Sequence, residues 1–302
     1  MRGALWLRRT RAVWVPGEGG RVEGESAARP CPSAPTVGQL RHRAEVPMLI
    51  LCGPLTAGGS VAAPLFMLQG LAVPRWVAWT VWGLAVPVVA ATVAIRWLYW
   101  RQVANSVEVT GGQLPELHAV YTDLVARMGL DHTPRLYVAN GNGAVNALAS
   151  KCQVGRGYVV VFSDLVDIAY EHGDWDTVRF VLAHELAHVR CGHVNVWRTA
   201  ITFLPLLVGL HRSLVRAQEH TADRCAALYA PEGARGMLVL YAGKRLYRRV
   251  DFDAYRASVR DHRDGVWLRV VNAWSSHPVG FRRLEALANL DADGWDTHGR
   301  IF

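Results

Sequence analysis

The chain has 302 residues, enough for one sizeable domain with appendages and far above the length at which a core needs disulfides or a metal merely to fold. It is 51% apolar with the excess in its N-terminal third, and its formal net charge is +8. The arginines are scattered, and no basic run is interleaved with aromatics as a nucleic-acid surface requires, so nucleic acid is excluded as an expected partner.

Residues 1–47 carry Arg2, Arg8, Arg9, Arg11, Arg21, Arg29, Arg41 and Arg43 among Pro, Gly and Ser, with no sustained apolar period. This predicts a disordered basic arm, without the continuous apolar core of a signal peptide. Met48 stands directly before the first apolar run and offers an alternative start that would leave the arm untranslated. From Pro47 to Pro74, and again from Trp76 to Ile95, no residue is charged. Each run is long enough to cross about 30 Å of hydrocarbon as a helix, which predicts two transmembrane helices over about 48–73 and 76–95. Trp76, Trp97, Tyr99 and Trp100 are placed as interface anchors. Arg41, Arg43, Arg96 and Arg101 flank the pair and Arg75 alone marks its turn, so the positive-inside bias puts both chain ends in the cytoplasm of a multi-pass cell-membrane protein. A pair of buried core helices is the alternative.

After the hairpin the composition changes, and residues 101–302 form the expected catalytic domain. Residues 114–130 have apolar positions at helical spacing and end near Gly129. Strand-like runs follow at 135–139, 144–149 and 157–162, divided by Gly and Asn turn signals, and imply a small antiparallel sheet. The remainder is predicted helical over about 164–171, 175–193, 211–230, 233–247, 252–273 and 278–289, giving an α+β domain. The five cysteines, Cys31, Cys52, Cys152, Cys191 and Cys225, are irregularly spaced with no Cys-x-x-Cys pair, which fits a reducing compartment and small buried thiols.

The segment 179–193, RFVLAHELAHVRCGH, carries the chemistry. On a helix His184 and His188 project from one face, so both imidazoles can reach one metal ion, and Glu185 beside them is placed to take a proton from a metal-activated water. An amphipathic helix that happens to spell His-Glu-Leu-Ala-His is the bland alternative. Zinc requires a third protein ligand, and Glu219 in RAQEHTADRC (216–225) supplies it. Asp223, four residues on and on the same face, would receive the second ring N–H of a zinc-bound histidine. His193 lies about 140° round an ideal helix from His188 and is read as a non-ligand.

These residues resemble the HtpX-like and CAAX-prenyl-protease type 1 family of membrane-bound zinc metallopeptidases, which are gluzincins. Four features in order carry the resemblance across about residues 115–290: Asn146-Ala147, His184-Glu185-Leu186-Ala187-His188, Glu219-His220-Thr221-Ala222-Asp223, and Ser276-His277-Pro278 followed by Arg283. The resemblance implies a zincin-like domain with one zinc ion per chain, a substrate strand added beside Asn146 and Ala147, and His277 and Arg283 approaching from the C-terminal region, His277 toward the oxyanion and Arg283 toward an acid such as Asp223. For His277 a helix N-terminal position before Pro278 is an equal alternative. The connection 199–211, broken by Pro205, is too short to span a bilayer comfortably and would dip into the interface or cover the cleft.

The expected function is a membrane-anchored zinc endopeptidase with Glu185 as general base, with a polypeptide substrate (membrane proteins among the candidates) and the lipid bilayer as partners. A binding or regulatory protein with a structural zinc site and a non-peptidase zinc hydrolase are the alternatives.

Overall fold

The computed structural model describes residues 35–54, 56, 93, 96–153, 156–195, 198, 210–262, 265–275, 277–293, 298, 299 and 301. In chain order the named elements are α1 (Val37–Leu40), β1 (Ser106–Glu108), α2 (Pro115–Arg127), β2 (Arg135–Ala139), β3 (Ala147–Gln153), β4 (Arg156–Phe162), α3 (Ser163–His172), α4 (Trp175–Arg190) and α5 (Leu210–Tyr229). A 3₁₀ segment, Pro231–Leu238, then leads into α6 (Val239–Leu246), α7 (Phe252–His262), α8 (Val266–Trp274) and α9 (Gly280–Asp293).

The class is α+β with a small sheet, as expected, but the sheet is mixed where an antiparallel one was expected. It has four strands in the order β1-β2-β4-β3. β1 pairs antiparallel with β2 and β3 antiparallel with β4, whereas β2 and β4 run parallel, with Tyr137 opposite Val160. The reason is topological: β3 forms at the far edge and β4 turns back into the gap between it and β2. A strand antiparallel to β3 in that gap must run alongside β2. Among the described residues β3 therefore keeps one edge free of sheet partners, a point that matters for the site.

Helix α4 lies at the centre. Asp174 caps its start, accepting from the Thr177 backbone N–H at 3.1 Å and from Thr177 Oγ1 at 3.0 Å, and Tyr247 Oη donates to the same carboxylate at 2.7 Å. From Thr177 to Ala187 nearly every side chain is buried, because β3, α5, α3, α2 and the 3₁₀ segment surround the helix on all sides. Leu182 and Leu186 are both fully buried, each stabilising by about 1.5–3 kcal/mol relative to exposure.

The 3₁₀ segment approaches α4 through Gly233 and Gly236. A Cβ on Gly236 would sit 1.9 Å from Thr177 Oγ1, and one on Gly233 would sit 2.0 Å from the Asp176 carbonyl oxygen. Gly236→Ala is therefore expected to destabilise by about 1–3 kcal/mol through overpacking. Chemical denaturation would check it, and an unchanged midpoint would mean the two elements can part without loss.

Three expectations are corrected. First, the multi-pass membrane localisation is overturned: among the described residues no helix is long and apolar enough to cross a membrane. Of the spans expected at about 48–73 and 76–95, only residues 48–54, 56 and 93 are among the described residues. The flanking residues described as helical are 45–54 and 96–104, and the first stretch carries the charged Glu45. The second also carries Arg96 and Arg101. The cytoplasmic orientation drawn from such a hairpin loses its basis.

Second, residues 35–47 are not part of a disordered arm. Thr36 and Gln39 form a capping box at α1, Leu40 and Glu45 are fully buried, and His42 is buried. Residues 1–34 lie outside the described residues, as does most of the 199–211 connection. Third, the single helix expected over 252–273 is two, with Gly265 capping α8, and the 233–247 run begins as 3₁₀ and breaks at Gly243, whose φ is +73°.

Candidate metal centre and active-site cleft

Two helices deliver the central cluster. His184 and His188 are one turn apart on α4, and Glu219 comes from α5, which packs along it. The Nε2 atoms of the two histidines are 3.2 Å apart, and Glu219 places Oε2 at 3.5 Å from His184 Nε2 and Oε1 at 3.5 Å from His188 Nε2. A tetrahedral zinc ion with bonds of about 2.0–2.2 Å separates its ligand atoms by roughly 3.3–3.6 Å. The observed separations, with one Glu219 oxygen near each histidine, are close to that size, and these three residues could hold a metal ion.

The surrounding charge favours a cation. Asp223, one turn after Glu219, takes Arg283 in a two-pronged pair, with Nε to Oδ2 at 2.8 Å and Nη2 to Oδ1 at 2.6 Å, and lies 2.9 Å from His184 Nδ1. Arg283 Nη1 also approaches Glu219 Oε2 at 3.5 Å. Against the two carboxylates of Glu219 and Asp223 stands one arginine, all of them buried. Without a metal a proton fills the deficit: burial works against it, but hydrogen bonds to Asp223 and Glu219 push His184 up to about 10. His188, held down chiefly by burial, stays neutral and available as a donor. Burial also opposes ionisation of Glu219, yet His184, His277 and Arg283 hold it well below the usual carboxylate range.

Glu185 and the cluster open onto a cleft of about 510 Å³. Burial pushes Glu185 up to about 6, with a further upward push from the Glu219 charge, against the pull of His184 and Arg283. One wall of the cleft is the unpaired edge of the sheet, from Val145 through Asn146 and Ala147 to Ala149. The other is apolar and includes Phe180, Met237 and Leu240. His277 sits at the rim with its side chain 64% exposed and its Nδ1 3.0 Å from Glu219 Oε1. The structure thus brings together all nine residues singled out from sequence: His184, Glu185, His188, Glu219, Asp223, His277, Arg283, Asn146 and Ala147.

Tyr241, which lines the same cleft and is pushed up to about 12 by burial, was not singled out. Nor was a second group behind His188. Helix α4 ends at Arg190, and Gly192, at φ +70°, turns the chain back so that the His193 backbone N–H donates to His188 O at 2.9 Å. The His193 ring then meets His188 Nδ1 through its own Nδ1 at 2.9 Å and Glu45 Oε1 through Nε2 at 3.1 Å. His193 is outside the metal-holding group, as expected, but not because it points away.

Glu45 is surrounded by donors: His193, Arg41, Arg198 Nη1 at 3.2 Å, and Thr221 Oγ1 at 2.9 Å. Burial alone would raise its pKa, but His193, the Arg41 charge and Thr221 together hold it at about 2. Since this lies below the ordinary value of 4.5, the stabilisation is fully present above about 4.5 and is lost as pH falls toward about 2. Glu45→Gln is expected to flatten the acid side of the stability curve in that window. Unfolding midpoints measured from pH 6 to 2 would show it, and parallel curves for the two proteins would refute it.

With this geometry in place, comparison with known proteins shows what the chain is similar to. Residues 113–207 match the family model of Peptidase family M48. The chain is also 27% identical over 181 residues to the plastoglobule-localized metallopeptidase 48, chloroplastic, of Arabidopsis thaliana, a match that covers 54% of this chain. The chain spans about half the length of that curated relative (51%). No solved structure matches. The matched model is that of a peptidase family, and the His-His-Glu cluster of this chain could hold a metal ion. The matched segment includes His184, Glu185 and His188 and stops short of Glu219, Asp223, His277 and Arg283.

Proposed function

We propose that the chain is a zinc-dependent endopeptidase of the HtpX-like type, in which His184, His188 and Glu219 hold the metal and Glu185 is the general base. The observation that carries this is the close approach of His184, His188 and Glu219, with separations of 3.2, 3.5 and 3.5 Å, beside a buried carboxylate facing an open cleft. A purely structural zinc site has no use for that carboxylate or for the cleft.

Bound zinc would supply Lewis-acid polarisation and an acidified water. The chain's own groups do the rest. Glu185, poised near neutrality, accepts a proton at its carboxylate and can return it to the leaving amine. Asp223 takes the His184 Nδ1–H, leaving Nε2 as the donor atom, and Arg283 fixes Asp223. The edge of β3 away from β4, beginning at Ala147 beside Asn146, offers backbone groups to an extended polypeptide, and the wall of Phe180, Met237 and Leu240 suits an apolar side chain next to the scissile bond. At the rim His277 is within reach of a developing oxyanion.

The test is metal content by elemental analysis together with cleavage of unfolded casein. One zinc per chain, with cleavage abolished by a chelator and restored by zinc, is expected. A protein that binds no zinc, or that cleaves equally well after chelation, would overturn the proposal.

A further inference from the structure

The two histidines of the metal cluster differ behind the site. His184 Nδ1 faces Asp223 directly, whereas His188 Nδ1 faces another imidazole. An imidazole can donate or accept at either nitrogen, so it fixes nothing by itself. What decides its orientation is the group on its far side, and that group is Glu45, fully buried and contributed by a segment 148 positions away in sequence.

Resting on the metal-site assignment above, we propose that Glu45 is a positioning residue, acting through His193 to hold His188 in the tautomer whose Nε2 is free to bind zinc. An ionised carboxylate only accepts, so His193 must present N–H at Nε2 toward Glu45 Oε1. Its Nδ1 is then an acceptor, and His188 must donate Nδ1–H across the 2.9 Å contact. That leaves the lone pair of His188 on Nε2, the atom that faces His184 Nε2 and Glu219. The chain carboxylate, imidazole, imidazole does for His188 what Asp223 does for His184 alone.

Glu45 also grips the other ligand-bearing helix. Its Oε2 accepts from Thr221 Oγ1 at 2.9 Å, two residues beyond Glu219, and the His42 backbone N–H donates to the same hydroxyl at 2.8 Å. Arg41, paired with Glu45, donates from Nη2 to the Cys191 carbonyl oxygen at 2.8 Å, just past the end of α4. One short segment therefore ties both helices that supply ligands.

The first measurement is a long-range 1H–15N spectrum of the zinc-loaded wild-type protein. It is expected to show His193 protonated at Nε2 and His188 at Nδ1; His193 protonated at Nδ1 instead would overturn the proposal without any variant. The second is zinc affinity by competition with a chelating dye for Glu45→Ala, His193→Phe and the double variant, with folding of each metal-free protein checked by thermal unfolding. Each single change is expected to weaken zinc by about 10–100-fold, as loss of an outer partner does, and the double variant to bind no worse than the weaker single one. If Glu45→Ala binds zinc as the wild type does, or costs as much when His193 is already Phe, Glu45 does not act through His193. A wild type that takes up no zinc would instead bring down the metal-site assignment, and this proposal with it.

Discussion

Replacing Glu185 by Gln is expected to leave zinc bound and to slow peptide hydrolysis by about 10²–10⁴-fold, the usual contribution of a positioned general base. The amide keeps the shape of the carboxylate and removes only its ability to take a proton. Because Glu185 is not among the metal-holding atoms, zinc stoichiometry should match that of the wild type. The wild-type rate should also fall on the acid side, with a limb at or below about 6, where burial places this carboxylate in the metal-free protein. A bound cation adds a charge that favours the ionised form, so it can move the limb down and not up. Wild-type turnover in the Gln variant would remove Glu185 from the role of base.

Replacing Glu219 by Ala should act on the metal itself. The two histidines alone give zinc too few protein ligands, and zinc affinity is expected to fall by more than the roughly 10–100-fold that loss of an outer partner costs. The damage extends further, because His277 Nδ1 loses its partner at 3.0 Å and Arg283 loses one of its two carboxylates. Elemental analysis after dialysis would settle it. Unchanged zinc content would exclude Glu219 from the ligand set.

The legible part of the site is the part that helix geometry encodes locally. Four-residue spacings on α4 and α5 put His184 beside His188 and Glu219 beside Asp223 whatever the rest of the chain does. The need for a third ligand then linked the two helices, although nothing in either sequence states that they touch. Sheet order was not legible: the insertion of β4 between β2 and β3 is a non-local pairing that leaves the pattern inside each strand unchanged. Glu45 was hidden for a similar reason. Its surroundings are rich in Arg and have no apolar period, so a buried carboxylate there has no local signature. His193 was misjudged because the helix was continued past its end. Gly192 after Cys191 is the ordinary signal for a helix stop, and it was available in the sequence.

The distance along the chain between Glu45 and its partners also orders events in time. Glu45 and Thr221 are separated by 176 positions. At the roughly 5–20 residues per second of synthesis, that interval corresponds to about 9–35 s between the emergence of the two. In its last part, from His188 to Glu219, a chain already carrying both histidines lacks Glu219 and has no finished α5 for Glu45 to grip. Loops of this length close late, after local helices and hairpins have formed. If the proposed site holds zinc, tight metal capture is thus a closing step of maturation, and a nascent chain meeting free zinc offers it two histidines but not the finished cradle.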